Sequence, residues 1–383
     1  MRKLTDAQEY AGVRFIGISQ DSHKTAIAST AGTRVLDTNT GQALTELGSF
    51  GLVFDAEFSS DGEQVLIVTM RTAQVWDTAT GEMVNEFKGH KSQVRQAQFS
   101  PDGQWAVSAS FDKTAQVWES RTGKLRFKPL ESESLVEIAQ YSPDGKRILT
   151  IAAGGCLRIW DAETGKLLSE PLKQVAGLNY AQFSPDGSLV VTSSDNGTVR
   201  VWDALSGRPV CEAMNQNAAV TSVQFGPNAM QVVTTCDDGT AWVWNVQARA
   251  SRPELLSLAG QEMITQARFS PDGSRIVTGS YGGTVRVWDA KTREPLTPIL
   301  KHENRVNHVN SVNFSSDGKK IVAASDDDKV RVWDAHSGQE LKGPAKVDGE
   351  VVSAEFSPDG KRIVMFSLDR TTPIAGDSER ILR

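Results

Sequence analysis

At 383 residues, with a formal net charge of −6 and 39% hydrophobic residues, the chain has the apolar content of a folded protein, which excludes wholesale disorder. The acidic balance and the lack of any Lys/Arg run longer than two residues exclude the clustered basic face of a nucleic-acid partner. No window approaches the ~18 apolar residues of a membrane helix, and residues 1–10 lack the apolar stretch of a secretion signal. The cysteines, Cys156, Cys211 and Cys236, fit neither a disulfide framework nor a zinc spacing. These features fit a cytoplasmic protein with no membrane partner, no cofactor and no metal.

Taken in chain order, the elements repeat. A weak first anchor, Ile18-Ser-Gln-Asp-Ser22, is followed by Phe58-Ser-Ser-Asp-Gly62, Phe99-Ser-Pro-Asp-Gly103, Tyr141-Ser-Pro-Asp-Gly145 and Phe183-Ser-Pro-Asp-Gly187. Then come Phe225-Gly-Pro-Asn-Ala229, Phe269-Ser-Pro-Asp-Gly273, Phe314-Ser-Ser-Asp-Gly318 and Phe356-Ser-Pro-Asp-Gly360, successive anchors standing 40 to 45 residues apart. After each anchor, at a nearly constant distance, stands a β-branched residue, a Trp and a polar residue, usually acidic. The tryptophans are Trp76, Trp118, Trp160, Trp202, Trp244, Trp288 and Trp333, with Leu36 in the first unit and Ala375 in the ninth.

Within the third unit the apolar runs Val94 to Phe99, Trp105 to Ser110, Thr114 to Trp118 and Lys124 to Leu130 predict four strands. Pro101, Asp102 and Gly103 supply a tight turn, so the first two strands form a hairpin. Four strands in ~42 residues leave no room for helices, and a lone sheet with two apolar faces cannot stand by itself. Copies stacked around an axis bury both faces, the radial arrangement of a propeller.

The Trp-Asp dipeptides, the Gly89-His90 pair ahead of Val94 and the period resemble the WD40-repeat family over nearly the whole chain. The resemblance implies an all-β, WD40-type β-propeller of four-stranded antiparallel blades in a single domain, 1–383. Its nine units run approximately over 9–48, 49–89, 90–131, 132–173, 174–215, 216–259, 260–301, 302–346 and 347–383. Nine blades are expected, with the ninth weakest; eight blades plus a peripheral hairpin is the alternative, and the termini, Arg2 to Thr5 or Glu379 to Leu382, are candidates for a missing outer strand. The family's tetrad of a loop His, a strand-two hydroxyl, a turn Asp and the Trp maps in full onto His90, Ser108 (or Ser110), Asp112 and Trp118. In the eighth unit His302, Asp327 and Trp333 match in part. Where the His position reads Ser132, Gln174 or Gln216, packing alone is expected to hold the blade.

Residues recurring in register do a common structural job, so the seven repeat tryptophans are expected in the core, with Trp202→Ala strongly destabilising. The basic residue two places before the Trp, as in Arg158, Arg200, Arg286 and Arg331, is read as a packing element and not as a phosphate site. His302, Glu303 and His308 lack a third ligand, so no metal centre is expected. No nucleophile with a base, phosphate-cradling loop or paired acids stands outside the repeat pattern, so no enzyme activity is expected.

The expected function is a non-catalytic scaffold that binds other proteins or peptides. In the WD40 arrangement the loops from strand four to strand one and from strand two to strand three share one face. Departures from the repeat there, Arg95, Phe111, Asn179, Tyr180, Trp242, Tyr281, Arg305 and His308, are the candidate partner contacts. Trp105, like Trp242 off the tryptophan register, is also considered for partner contact. The alternative is a sensor or regulatory module that takes a peptide or small molecule in the propeller channel.

Overall fold

The computed structural model describes residues 15–29, 32–38, 40–48, 53–173, 177–246, 254–256, 263–302, 308–346, 351–367 and 374–375. Arg2 to Thr5, Gln174, Glu303, Arg305 and Glu379 to Leu382 lie outside them. Among the described residues every regular element is a strand, and each repeat unit forms its own antiparallel sheet. Eight sheets have four described strands and the ninth has three, in sequence order across each sheet, so the first and last described strands are the two edges. By compactness, the first four sheets with residues 204–207 form one unit and the last five sheets form another.

The repeated residues make each sheet in the same way. In the third unit Val94–Phe99 pairs with Trp105–Ser110 through the Pro-Asp-Gly turn, and Thr114–Glu119 adds on the other side. The anchor Ser folds the turn around itself. Ser59 Oγ donates to Asp61 Oδ1 (2.6 Å) and accepts from Gln64 N (2.9 Å), while Asp61 Oδ1 accepts from Glu63 N (3.0 Å). Gly62 closes the turn at φ +69°, a conformation that favours glycine. Ala229 in the sixth unit keeps the same left-handed conformation without that freedom, at φ 58°. The acid after the Trp caps the turn between strands three and four: Asp77 Oδ1 accepts from Thr80 N (2.7 Å) and Thr80 Oγ1 (3.0 Å). Those bonds, the Thr80 amide foremost, hold the Asp77 carboxyl below the usual carboxylate range.

The fourth strand is shorter than its apolar run predicts. In place of a continuous Lys124 to Leu130 the structure has Leu130–Glu131 and an isolated bridge from Trp118 to Leu125. The prolines explain the shortening: Pro129 precedes this strand, Pro171 precedes Leu172–Lys173, and Pro209 and Pro295 sit at the bridges to Trp202 and Trp288. A residue without an N–H is tolerated at an edge and blunts it against further pairing.

Neighbouring sheets bury their faces on each other. Val107, Val117 and Leu130 of the third sheet pack on Val136, Ala139, Ile148 and Trp160 of the fourth. Val322 and Val330 of the eighth pack in the same way on Val351, Ala354, Ile363 and Met365 of the ninth. The ninth hairpin is therefore cored like the others, although its third strand is only Ile374–Ala375.

Six register tryptophans are buried, at 0 to 9% exposure. Trp76 is an exception to the expected burial, being partly exposed; strand two has an aliphatic residue where the third to seventh units have a hydroxyl, and its Nε1 donates to Gln74 Oε1 (3.2 Å). The residues two places before the Trp serve their own sheets: Arg158 donates to Ser132 Oγ (2.9 Å), Arg331 to Glu340 Oε1 (2.9 Å), and Arg286 lies over the Trp288 ring at 5.0 Å.

Candidate functional site: the loop ends of the sheets

In the third unit His90 Nδ1 is 2.9 Å from Asp112 Oδ2 and His90 Nε2 is 2.8 Å from Ser108 Oγ. Burial lowers the His90 pKa against the pull of Asp112, which favours the neutral ring. The chain of bonds stops there: the buried Trp118 Nε1 has no partner. Trp118 is instead stacked on Phe87, with ring centroids 4.9 Å apart and planes 3° apart.

Packing alone does not hold the units that lack the histidine, contrary to expectation. The indole N–H groups of Trp160, Trp202, Trp244 and Trp288 donate to Thr150, Thr192, Thr234 and Thr278 Oγ1 at 2.9 to 3.0 Å. Gln216 stands in for the histidine in the sixth unit, its Nε2 donating to Thr234 Oγ1 at 2.5 Å. The eighth unit is the mirror case: His302 Nδ1 reaches Asp327 Oδ1 (3.2 Å), but the strand-two position is Ala323 and the buried His302 Nε2 has no partner. Ala323→Ser places a hydroxyl there, as Ser108 does in the third unit. Because a buried unmade hydrogen bond costs about 1–3 kcal/mol, the substitution is expected to raise stability by about 1 kcal/mol in urea denaturation. A loss of that size would disprove the reading.

At the end of the third to eighth sheets away from the Pro-Asp-Gly turn, the first residue of the strand two to strand three loop pairs with the residue before strand one. Phe111 N donates to Gln93 O (2.9 Å), Tyr281 N to Met263 O (2.7 Å) and Asp326 N to His308 O (3.3 Å). Strand one then carries a one-residue bulge: Gln96 and Val94 face Ala109 and Ser110, with Arg95 left over, and Leu178 and Tyr180 face Ser194 and Ser193, with Asn179 left over. A bulge re-aims the side chain it carries. Arg95 and Asn179, two of the departures from the repeat, are thus bulge residues.

Arg95, Tyr180 and Tyr281 are exposed, the two tyrosines at 41% and 49%, and Phe111 and His308 are partly buried. The structure brings Tyr281 and His308 into ring contact, and His308 Nδ1 stands 3.9 Å from Asp326 Oδ2. Trp242 packs back into its own sheet, its Nε1 donating to Thr240 Oγ1 (2.9 Å) and its ring 6.0 Å from that of Trp244. Sequence reasoning missed Met263, 47% exposed, which shares the Tyr281 loop end, and Met70 and Leu135, 56% and 38% exposed at the loop ends of the earlier sheets. The signal was present in the sequence, since each is a large apolar residue just outside a strand. Among the described residues no group of three His, Cys, Asp or Glu side chains could hold a metal ion, and no helix is long and apolar enough to cross a membrane.

The strand-one edges carry a ladder of side chains that the sequence reading did not single out. Phe99 N donates to Glu57 Oε2 (3.0 Å), Tyr141 N to Gln98 Oε1 (2.9 Å), and Phe269 N to Gln224 Oε1 (3.4 Å), each from one sheet to the strand one before it. Burial pushes Glu57 up to about 7 and Asp55, on the same strand, up to about 6, against the bonds from Phe99 and Ala56 amides respectively.

Serially repeated antiparallel sheets, seven of them with a Trp at the same place on the third strand, define a WD40-repeat β-propeller protein. The chain matches the family model described as IFT122 first beta-propeller over residues 52–259, more than half its length, and the WD domain, G-beta repeat model over 253–289 and 295–334. It belongs to this WD40 propeller family. Among curated proteins it is similar to the intraflagellar transport protein 122 homologs of Danio rerio and Xenopus tropicalis, 34% identical over 61 residues, which is 16% of this chain and 5% of each relative. A shorter stretch, 38 residues and 10% of this chain, is 47% identical to human WD repeat-containing protein 36, covering 4% of it. The chain thus aligns with only a small part of these relatives. The crystal structure of the computationally designed Ika8 protein superimposes with a TM-score of 0.64 at 26% identity, covering 87% of this chain and 99% of that one.

Proposed function

We propose that this chain is a non-catalytic interaction platform that engages other proteins through the loop ends of its sheets. One observation carries the reading: Met263 and Tyr281, 47% and 49% exposed, are held side by side by a backbone hydrogen bond, with the His308 ring against the tyrosine. Large apolar and aromatic side chains fixed on a rigid sheet end lose little conformational freedom on binding, which is the character of an interface anchor. Family membership supports the same reading, and so do relatives named for intraflagellar transport and for WD repeats. Arg95, Phe111, Asn179 and Tyr180 extend the proposed contact set on other sheets, with Arg305 retained from the sequence.

The test is capture from native lysate by the wild type and by the Met263→Ser/Tyr281→Ser double variant. Both positions are exposed, so the variant is expected to fold normally and to lose a captured protein. Identical capture by the two would overturn the assignment to this loop end.

A further inference from the structure

The strongest unassigned feature lies at the other end of the sheets, among the tight turns. A cleft of about 500 Å³ separates the turns of the third and fourth units, lined by Trp105, Arg126, Tyr141, Lys146 and four acids, Asp102, Asp144, Asp161 and Glu163. Tyr141 is 6% exposed and its hydroxyl has no hydrogen-bond partner. It is the one tyrosine among the anchor aromatics, which are otherwise phenylalanine apart from Ile18. Burial raises its pKa, so it remains a neutral hydroxyl.

The cleft has a cause in the repeat. The residue at the start of strand two, five places after the anchor Ser, is Lys24 in the first unit, Gln231 in the sixth and Arg275 in the seventh, and each reaches across to the turns of the following unit. Lys24 Nζ donates to Gly62 O (3.1 Å) and Thr78 Oγ1 (2.7 Å); Gln231 Nε2 donates to Ala290 O (3.2 Å). Arg275 donates to Gly318 O (2.7 Å) and Ala335 O (3.4 Å). In the third unit this position is Trp105, whose ring is covered by Arg126 at 4.4 Å. An indole has a single donor on a short rigid frame and cannot make the two-point reach of a guanidinium. Gly145, which corresponds to Gly318, therefore lines a cleft where the first, sixth and seventh units place a bridging side chain, and Ala162, the counterpart of Ala335, stands between the lining residues Asp161 and Glu163.

We propose that this cleft binds an arginine side chain of a partner polypeptide, which supplies in trans the bridge that Arg275 makes within the chain. The guanidinium enters beside Trp105, donates toward the turn carbonyls and the Tyr141 hydroxyl, and is favoured by four carboxylates against two cations at the lining. Asp102, Asp144 and Asp161 each use Oδ1 within their own turns, accepting from Gln104 N, Lys146 N and Thr164 N at 3.1, 3.0 and 2.7 Å, and Asp144 Oδ2 also accepts from Arg147 (3.4 Å), so these acids act through their charge without leaving the turn. The site is separate from the loop-end surface, and its assignment does not depend on that reading.

The test is NMR observation of the Trp105 indole while the capped tripeptide acetyl-glycyl-arginyl-glycinamide is added, with the citrulline peptide, equal in shape but uncharged, as control. A saturable shift of the Trp105 signal with the arginine peptide and none with citrulline is expected. Tyr141→Phe, which restores the common anchor residue, should weaken binding about five-fold by removing one hydrogen bond. Trp105→Arg, which restores the bridge found in the seventh unit, should abolish binding in calorimetry by filling the cleft from within. The Met263→Ser/Tyr281→Ser variant should bind the peptide like the wild type. An equal response to the citrulline peptide, shifts confined to other indoles, no response at all, or undiminished affinity in Trp105→Arg would overturn the proposal.

Discussion

Trp244→Ala is expected to destabilise the chain by about 3–5 kcal/mol, the range for deleting a buried large aromatic. Trp244 is 1% exposed and sits in a cluster with Val191, Val199, Val201, Met214 and Val232, so its removal opens a cavity between two sheets. It also strips Thr234 of the indole N–H, leaving that hydroxyl with Gln216 alone. The measurement is equilibrium urea unfolding followed by circular dichroism. Thr234→Val, which keeps the volume and removes only the hydroxyl, should cost less, since it leaves two donors unpaired but opens no cavity. A Trp244→Ala loss under about 1 kcal/mol would mean that the ring is not the inter-sheet wedge described above.

The second large effect runs toward stability. Glu57 occupies the place that Gln98 and Gln224 hold in their units and accepts the Phe99 N–H, yet it does so with a carboxylate that burial pushes up to about 7. A raised acid pKa means that the folded state binds a proton more tightly than the unfolded chain. Its contribution is neutral below the unfolded value near 4.5, and stability is lost as the pH rises from there through about 7. Glu57→Gln keeps an acceptor oxygen for Phe99 and removes the charge. It should stabilise by roughly 2–3 kcal/mol at pH 8 and by less than about 1 kcal/mol near pH 5. Asp55, pushed up to about 6 by the same burial, adds a smaller loss with the same sign over a slightly lower pH window. Urea midpoints at the two pH values decide the matter: a gain independent of pH, or a loss at pH 8, would show that the carboxylate is not destabilising as described.

Much of the fold is legible in the residues because it is local. The Ser-Pro-Asp-Gly turn is closed by its own serine and aspartate, and an acid after the Trp, such as Asp161, caps the turn three residues on; sequence neighbours suffice for both. A four-stranded sheet per unit and the burial of most register tryptophans follow from those turns and from alternating apolar residues. What the sequence alone left open is what passes between units. Arg95 and Asn179 stood out as departures, but only the pairing with strand two makes them bulge residues. Trp105 stands out in the sequence only as off the tryptophan register and Tyr141 only as one anchor among nine, 36 positions apart. They become a cleft only when the turns of two sheets are set side by side and the bridge made by Lys24 and Arg275 is missing between them. Glu57 reads as an ordinary strand residue until the next sheet's amide and the burial around it raise its proton affinity. Turn chemistry and strand period act over a few residues and are written in order along the chain. Desolvation, unmade bridges and raised pKa values depend on which groups from units some forty residues apart come to share a space, and tertiary packing decides that.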